Sequence, residues 1–375
     1  MSVLFSPLEI KGLRFKNRIV FPPITTCFAT HKAEVTEKMM NYYAERARGG
    51  AAMLILEPGV TSPYGKLNPR SMGIYEDRFV DPLARLVEGI KRHDALAFIQ
   101  LCHAGPRARA LPPNAQPVSS SDVPIFKGVV PKPLEAGEIS RIVEEFVLAA
   151  RRAARAGFDG VEIHGAHFYL LSNFLSPLTN RRRDGYGGDA AGRARIICEI
   201  IGGIKQVCGS GFPVIVRYHT REMGEGALDP AGSAALGREF AAAGADILHL
   251  SSWFLPDPAL EAVMTIPATS IPGEDAPEGC FLEHTAAVKR EVSLPVIGVG
   301  KIIDPAVAGQ ALAEGKCDLV AVGRGLVADP DWPAKAAAGE QIRRCRSCKA
   351  CINSLASGEM VCSVNPDLKK TGIGN

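Results

Sequence analysis

Hydrophobic residues in this chain follow two patterns that alternate from one end to the other. Short apolar runs of strand length occur eight times, at residues 18–24, 52–57, 97–101, 160–164, 213–217, 246–251, 295–299 and 318–322. Other stretches carry apolar residues at every third or fourth position, as on one face of a helix, at residues 36–48, 79–93, 140–156, 193–207, 231–243, 283–292, 305–314 and 332–338. Regular alternation of this kind predicts parallel strands joined by helical crossovers.

Eight such units indicate a closed (β/α)8 TIM barrel rather than an open, doubly wound sheet. The first strand ends at Pro22-Pro23, whereas the first turn of a dinucleotide-binding sheet is rich in glycine. Two long segments, residues 105–133 and 252–280, are predicted to be loops. Loops of this length inside a compact domain are usually functional, so we expect these two to set the substrate specificity.

Polar groups follow the fourth predicted strand directly. Residues 160–164 run into His164, His167 and Tyr169. The structural alternative is a buried His164 bonded to backbone beside an exposed His167, because buried polar groups usually have such partners. Three polar rings within six residues, at the end of the barrel where ligands bind, favour a functional site instead.

Other strand ends also carry polar groups or glycines. Gln100 and Arg217 end apolar strands, and the last two strands run into Gly300 and into Gly323-Arg324. Loops after strands seven and eight commonly bind phosphate in these barrels, although the glycines could serve tight turns only. An amide and a guanidinium suit the edge of a flat heterocycle. The combination favours flavin mononucleotide (FMN) over a sugar phosphate.

Composition and charge further narrow the class of protein to which this chain can belong. The chain has 375 residues, with 43 Lys and Arg against 40 Asp and Glu. The basic residues do not cluster as a nucleic-acid surface requires, and no uncharged apolar run approaches the ~18 residues that span a bilayer. The first residues do not resemble a signal peptide. We therefore expect a soluble, cytoplasmic protein that binds neither nucleic acid nor membrane.

Four of the ten cysteines form a motif near the end of the chain. The spacing is C-x2-C-x2-C-x10-C, at Cys345, Cys348, Cys351 and Cys362. In a cytoplasmic protein such crowding indicates a metal site rather than disulfides. Four thiolates can hold either zinc or an iron–sulfur cluster, and the spacing alone does not choose between them.

Taken together, the motifs over roughly residues 3–340 resemble those of the old yellow enzyme family of FMN-dependent oxidoreductases. The resemblance rests on KNRIV (16–20) with Pro23, QLCHAG (100–105), HGAHFY (164–169), FLSP (174–177), NRRRDGYGG (180–188) and VGRG (322–325). It implies that one set of residues binds FMN, through the isoalloxazine ring (Pro23, Thr25, Pro58), its pyrimidine side (Gln100, Arg217) and the phosphate (Gly300, Gly323, Arg324). A second set is implied to act on the substrate, with His164 and His167 holding a carbonyl oxygen and Tyr169 donating a proton.

The cysteine motif resembles that of the family branch containing 2,4-dienoyl-CoA reductase and trimethylamine dehydrogenase. This resemblance implies a [4Fe–4S] cluster rather than zinc, held by an extension (residues 341–375) that follows the barrel (residues 1–340). In that branch a flavin- and pyridine-nucleotide-binding region comes next, and this chain stops at Asn375. We therefore expect electrons to come directly from NAD(P)H or from a separate electron-donor protein. Family members are commonly homo-oligomers, which we also expect here.

The resulting hypothesis is an ene-reductase that reduces the C=C bond of an α,β-unsaturated carbonyl compound or enoyl thioester. Two imidazole donors would stabilise the oxyanion that develops, and a phenol with a pKa near ~10 could protonate the α-carbon. A flavin-dependent amine dehydrogenase or demethylase is the first alternative, with Trp253 and Phe254 available as an aromatic cage for a cation. A non-catalytic electron-transfer subunit is the second.

Overall fold

A computed structural model describes residues 2–356 and 358–369. Eight parallel strands close into a barrel, because the last strand pairs with the first through Val320 and Ile19. We number these strands β1 (Ile19–Phe21), β2 (Met53–Val60), β3 (Leu96–Cys102), β4 (Gly160–Gly165), β5 (Val214–Glu222), β6 (Ile247–Trp253), β7 (Val296–Gly298) and β8 (Leu319–Ala321). The predicted (β/α)8 barrel is confirmed.

A helix follows each strand along the chain. These helices are α1 (Glu37–Arg48), α2 (Val80–Lys91), α3 (Ala136–Arg155), α4 (Ala190–Cys208), α5 (Pro230–Ala242), α6 (Leu282–Lys289), α7 (Pro305–Ala313) and α8 (Trp332–Ala338). The predicted start of α3 at residue 140 was wrong, because Glu138 accepts the backbone N–H of Glu135 at 3.0 Å and so supports an earlier first turn. The first strand is shorter than predicted, since Pro22 and Pro23 cannot donate to a sheet ladder.

Apolar side chains fill the amino-terminal half of the barrel. They come from all but one of the strands and include Val20, Met53, Phe98, Ile215, Ile247, Ile297 and Leu319. An antiparallel hairpin, Leu8–Ile10 with Leu13–Phe15, packs Ile10 and Phe15 against the same cluster. This hairpin closes the amino-terminal end, so the space for a ligand lies at the carboxyl ends of the strands.

Short elements interrupt the segments that the pattern left unassigned. The two long loops contain two-residue pairings, Val118–Ser119 with Lys132–Pro133 and Leu255–Pro256 with Ala268–Thr269. Three short helices, which the sequence pattern did not predict, follow β4, β8 and α8: Leu170–Leu175, Arg324–Ala328 and Ala350–Asn353. Elements of four to six residues complete too few turns for a periodic pattern to stand out.

The cysteine-containing extension packs against the barrel. Arg344 forms ion pairs with Glu278 and Asp304, at 3.1 and 2.9 Å. Glu359 forms ion pairs with Lys38 and Arg70, at 2.5 and 2.8 Å. Among the described residues, none of the helices combines the length and the apolar character needed to traverse a bilayer.

Candidate active site

A cavity of about 300 Å³ opens at the carboxyl ends of the strands. Its wall contains every residue that the sequence implied for FMN or substrate: Pro23, Thr25, Pro58, Gln100, His164, His167, Tyr169, Arg217, Gly300, Gly323 and Arg324. These residues come from seven of the eight strands or from the loops after them. The structure thus brings the whole predicted set to one place, while their individual roles stay predictions.

Two imidazoles face each other at this wall. Nε2 of His164 and Nδ1 of His167 lie 3.3 Å apart, and the rings are nearly perpendicular. His167 adopts a left-handed backbone conformation, with φ of 60°. Its backbone N–H donates to Nε2 of His219 at 2.7 Å, which holds the turn in place. His219 is in turn fixed by Glu222, whose carboxylate lies 3.0 Å from Nδ1.

The hydrogen bonds around the pair determine which nitrogen of His164 carries the proton. Nδ1 of His164 accepts the backbone N–H of Ala166 at 3.3 Å, so its ring proton resides on Nε2 and points toward His167. Nε2 of His167 lies 2.9 Å from the hydroxyl of Ser251. Burial, reinforced by the nearby Arg217, holds the pKa of both imidazoles well below the usual histidine range. Both rings are therefore neutral hydrogen-bonding groups rather than cations.

Tyr169 stands beside the imidazole pair. Its ring centroid lies 4.8 Å from that of His164 and 6.5 Å from that of His167. Burial raises the pKa of the phenol, although the neighbouring guanidinium of Arg107 opposes the shift. Tyr169 is therefore protonated at neutral pH and can donate to a strongly basic carbon.

The barrel interior beneath the cavity contains a polar network that the sequence analysis missed. The amide Nε2 of Gln100 donates to Glu162 at 2.7 Å, and Nδ1 of His249 lies 2.6 Å from the other carboxylate oxygen. Glu162 and His249 are completely buried. The carboxylate also acts electrostatically on Arg217. Glu162 therefore fixes the orientation of the Gln100 amide, and the available signal was an acidic residue in the middle of an otherwise apolar strand.

The segment that follows β1 is held from below by a second buried carboxylate. Glu57 accepts the backbone N–H of Thr26 at 3.1 Å and also the hydroxyl of Thr26. Burial raises the pKa of Glu57 to about 7. Since Thr25 and Pro58 both line the cavity and adjoin these partners, Glu57 positions the wall without entering it.

Gly300 and Gly323 line the cavity, and different physical reasons explain the absence of a side chain at each position. Gly300 has φ of 142°, and a Cβ there would lie 2.8 Å from the backbone nitrogen of Phe281. At Gly323, by contrast, an added Cβ would meet only Ile24 and Pro22, at an ordinary 3.4 Å. Packing within the chain therefore explains Gly300, whereas at Gly323 it leaves room for an approaching ligand to explain the missing side chain.

The cavity wall is strongly cationic. Among the described residues that line it are Arg107, Arg217, Lys301 and Arg324, and none is an aspartate or glutamate. Several buried N–H groups in the wall have no hydrogen-bond partner in the described chain: Nε of Arg107 and Arg217, Nε1 of Trp253 and Nη1 of Arg324. Unpaired buried donors are costly, so this wall fits an anionic ligand with several acceptors, as FMN is.

The four cysteines of the extension also come together. Cys345, Cys348, Cys351 and Cys362 line one small cavity, and Arg324 contributes to this cavity as well as to the larger one. None of the four forms a disulfide. Within residues 2–356 and 358–369, no three His, Cys, Asp or Glu side chains form a set arranged around a metal ion.

Comparison with known proteins agrees with the architecture of the site. The model of the NADH:flavin oxidoreductase / NADH oxidase family matches residues 3–342. An NADH oxidase of Thermoanaerobacter brockii is 38% identical over 378 residues, which cover 99% of this chain and 57% of that protein. The chain thus spans little more than half the length of this relative.

Solved structures of two longer proteins superpose on almost the whole chain. A 2-naphthoyl-CoA reductase in complex with 2-naphthoyl-CoA has a TM-score of 0.91 at 26% identity, covering 98% of this chain and 58% of that one. Histamine dehydrogenase from Rhizobium sp. 4-9 has a TM-score of 0.85 at 26% identity, covering 98% and 53%. The chain belongs to the old yellow enzyme family of FMN-dependent oxidoreductases, as the residue motifs implied.

Proposed function

We propose that this chain reduces the C=C bond of α,β-unsaturated carbonyl compounds, including enoyl thioesters. One observation carries the proposal: two neutral imidazoles converge at 3.3 Å beside the phenol of Tyr169. When bound, reduced FMN supplies the hydride that such a reaction needs at the β-carbon. The chain's own residues then have to hold the carbonyl oxygen and deliver a proton.

The imidazole pair can supply two donors to one oxygen. His164 already directs its Nε2–H toward His167. When a substrate oxygen lies between the two rings, a hydroxyl of Ser251 that donates to Nε2 of His167 allows the His167 proton to lie on Nδ1, so that both N–H groups point at that oxygen rather than at each other. Two N–H groups aimed at one point stabilise a developing oxyanion. Tyr169, protonated and adjacent, then transfers its proton to the α-carbon and completes the reduction.

Residues at both ends of the cavity suit FMN. The cation Arg324 and the open backbone at Gly323 would hold the phosphate, while Gln100 and Arg217 would bind the pyrimidine side of the ring. Pro23, Thr25 and Pro58 would flank the isoalloxazine. NADH or NADPH is the proposed external donor, because the curated relative is named as an NADH oxidase.

We also propose that Cys345, Cys348, Cys351 and Cys362 hold a [4Fe–4S] cluster that relays electrons. Their common cavity and the C-x2-C-x2-C spacing support four-thiolate binding. Zinc is the alternative for the same four ligands. We further propose that a separate protein donates electrons to the cluster. The chain is also proposed to assemble into homo-oligomers.

Amine oxidation is the second candidate, because one structural neighbour is a histamine dehydrogenase. The charge of the cavity opposes it, since a protonated amine would enter a wall whose described residues include four cationic side chains and no carboxylate. Trp253 already has Arg107 over its ring at 5.3 Å, and Phe254 packs on Phe281 and His284 instead. An aromatic cage for a cation is therefore not formed by these two residues.

The test compares the two reactions on one preparation. Protein purified without air is analysed for FMN, iron, sulfide and zinc, and its flavin spectrum is then followed. We expect 2-cyclohexen-1-one to reoxidise the reduced flavin and histamine to leave the oxidised flavin unchanged. Reduction of the flavin by histamine, with no reoxidation by the enone, would overturn the proposal in favour of amine oxidation.

A further inference from the structure

Arg107 lies in the cavity wall, and among the described residues no carboxylate forms an ion pair with it. The charged or polar groups that act on it are Tyr169, Arg109 and Cys102, none of which is a carboxylate. Its Nη1 donates to the backbone carbonyl of His167 at 2.7 Å. Its Nε is buried and has no partner in the described chain. Arg107 is half-buried, so its guanidinium has lost part of its hydration without gaining an anion, which is unfavourable unless a ligand supplies one.

Aromatic rings compensate for part of this loss. The guanidinium carbon lies 5.1 Å from the ring centroid of Tyr169, 5.3 Å from that of Trp253 and 5.9 Å from that of Phe126. Such rings attract a cation through the negative face of their π-system, but they accept no directed hydrogen bonds from its N–H groups as a carboxylate would. They position the charge and leave the Nε side of the guanidinium available, while Nη1 bonds to the carbonyl of His167.

The turn that carries Arg107 is fixed against Tyr169. Gly105 has φ of 57°, and a Cβ there would come within 2.7 Å of the Cα of Leu170. The backbone N–H of Leu170 donates to the carbonyl of His103 at 3.1 Å. The guanidinium and the phenol therefore belong to one rigid unit, so that a group bound by Arg107 has a defined position relative to Tyr169.

We propose that Arg107 binds a carboxylate on the substrate, so that the enzyme prefers unsaturated carbonyl compounds that also carry this negative charge. The inference rests on the proposed function, which it narrows to a substrate class. Arg217 and Arg324 occupy the positions implied for FMN, whereas Arg107 shares its part of the wall with the substrate-directed His167 and Tyr169. The planar fork of a guanidinium matches a carboxylate through two parallel hydrogen bonds.

The experiment uses a matched pair of enones, 6-oxohept-4-enoate and its methyl ester, in which two saturated carbons separate the carboxyl group from the conjugated enone, so that the two compounds differ in charge while the reactivity of the alkene stays the same. Reoxidation of the reduced flavin gives the apparent second-order rate constant for each compound. Binding to the oxidised protein is followed separately, through the perturbation of the flavin absorbance. The variants are Arg107→Gln, Arg107→Lys and, as the matched control, Arg109→Gln, which removes an exposed arginine that stacks on Phe126.

We expect the wild type to prefer the carboxylate. Arg107→Gln should lower the rate constant and the affinity for the carboxylate by about 10- to 100-fold, the usual effect of a lost charged hydrogen bond. The same two quantities should change by less than about threefold for the ester. Arg107→Lys should restore part of the preference, and Arg109→Gln should retain it. Equal losses for both compounds would assign Arg107 a structural role and overturn the inference, as would a wild type that prefers the ester.

Measuring binding without turnover distinguishes a failure of the inference from a failure of the proposed function. If neither alkene reoxidises the flavin, the proposed function fails. Arg107-dependent binding of the carboxylate would still support the anion site in that case. If both alkenes are reduced equally well by the wild type and by Arg107→Gln, the proposed function stands and the inference fails.

Discussion

The backbone N–H of Met360 donates a hydrogen bond of 2.9 Å to the carbonyl oxygen of Thr26. Met360 belongs to the cysteine extension, and Thr26 follows Thr25 in the wall of the large cavity. Ile352 and Leu355 of the extension line the same cavity. The extension is therefore part of the site rather than an appended tail, and it places the four cysteines next to the space proposed for FMN.

Loosening this attachment should weaken FMN binding. Glu359→Gln removes the ion pairs with Lys38 and Arg70, next to Met360. We expect the unfolding free energy to fall by about 1 kcal/mol, since these groups are only partly buried, and FMN to dissociate severalfold faster. Flavin fluorescence after dilution measures the release. Glu340→Gln, at an exposed residue immediately before the extension, is the control, and identical release rates for both variants would contradict the attachment.

The cysteine motif predicts that the protein contains bound iron and sulfide. Cys348→Ala removes one of the four proposed ligands and should abolish bound iron and sulfide, while the barrel still folds and binds FMN. Metal and sulfide analysis of anaerobic preparations measures the loss, and Cys198→Ala, outside the motif, is the control. About one zinc and no sulfide in the wild type would reject the cluster. A full complement of iron in the variant would reject the assigned ligand.

Tyr169→Phe tests the proton donor. The variant keeps the ring that packs against His164 but has no transferable proton. We expect alkene reduction to slow by about 100-fold or more, in the range that general acids contribute, with FMN content and flavin reduction by NADH unchanged. Stopped-flow absorbance separates these half-reactions. Undiminished reoxidation of the flavin by 2-cyclohexen-1-one would show that the proton comes from elsewhere.

Glu57 makes stability depend on pH. Its pKa is about 7 in the folded protein because of burial, above the ordinary 4.5 that it recovers on unfolding. The stability contribution of the protonated carboxyl is therefore complete below about pH 4.5 and is lost as the pH rises through about 7. Glu57→Gln does not titrate, so we expect the wild type to lose up to about 3 kcal/mol relative to this variant between pH 5 and pH 8.

Urea unfolding at a series of pH values measures this difference. The substitution Glu9→Gln, at an exposed residue of the amino-terminal hairpin, controls for the change of a glutamate to an amide. A constant difference between the wild type and Glu57→Gln across this range would mean that Glu57 does not titrate there.

The local pattern of the sequence was sufficient to predict the barrel and the residues that line its cavity. Apolar runs and helical spacing are dictated by burial within a few consecutive residues. Most of the predicted wall residues lie near the carboxyl ends of strands or just beyond them, whereas Arg217 lies in the middle of β5 because this strand continues to Glu222. Tertiary structure decided which side chains from different strands and loops contact one another. Glu162 joins Gln100 and His249 because side chains from β3, β4 and β6 point into one interior, and Arg107 gains its position from the close approach of Gly105 to Leu170. These contacts depend on closure of the sheet and on where distant loops pack, which no local periodicity encodes.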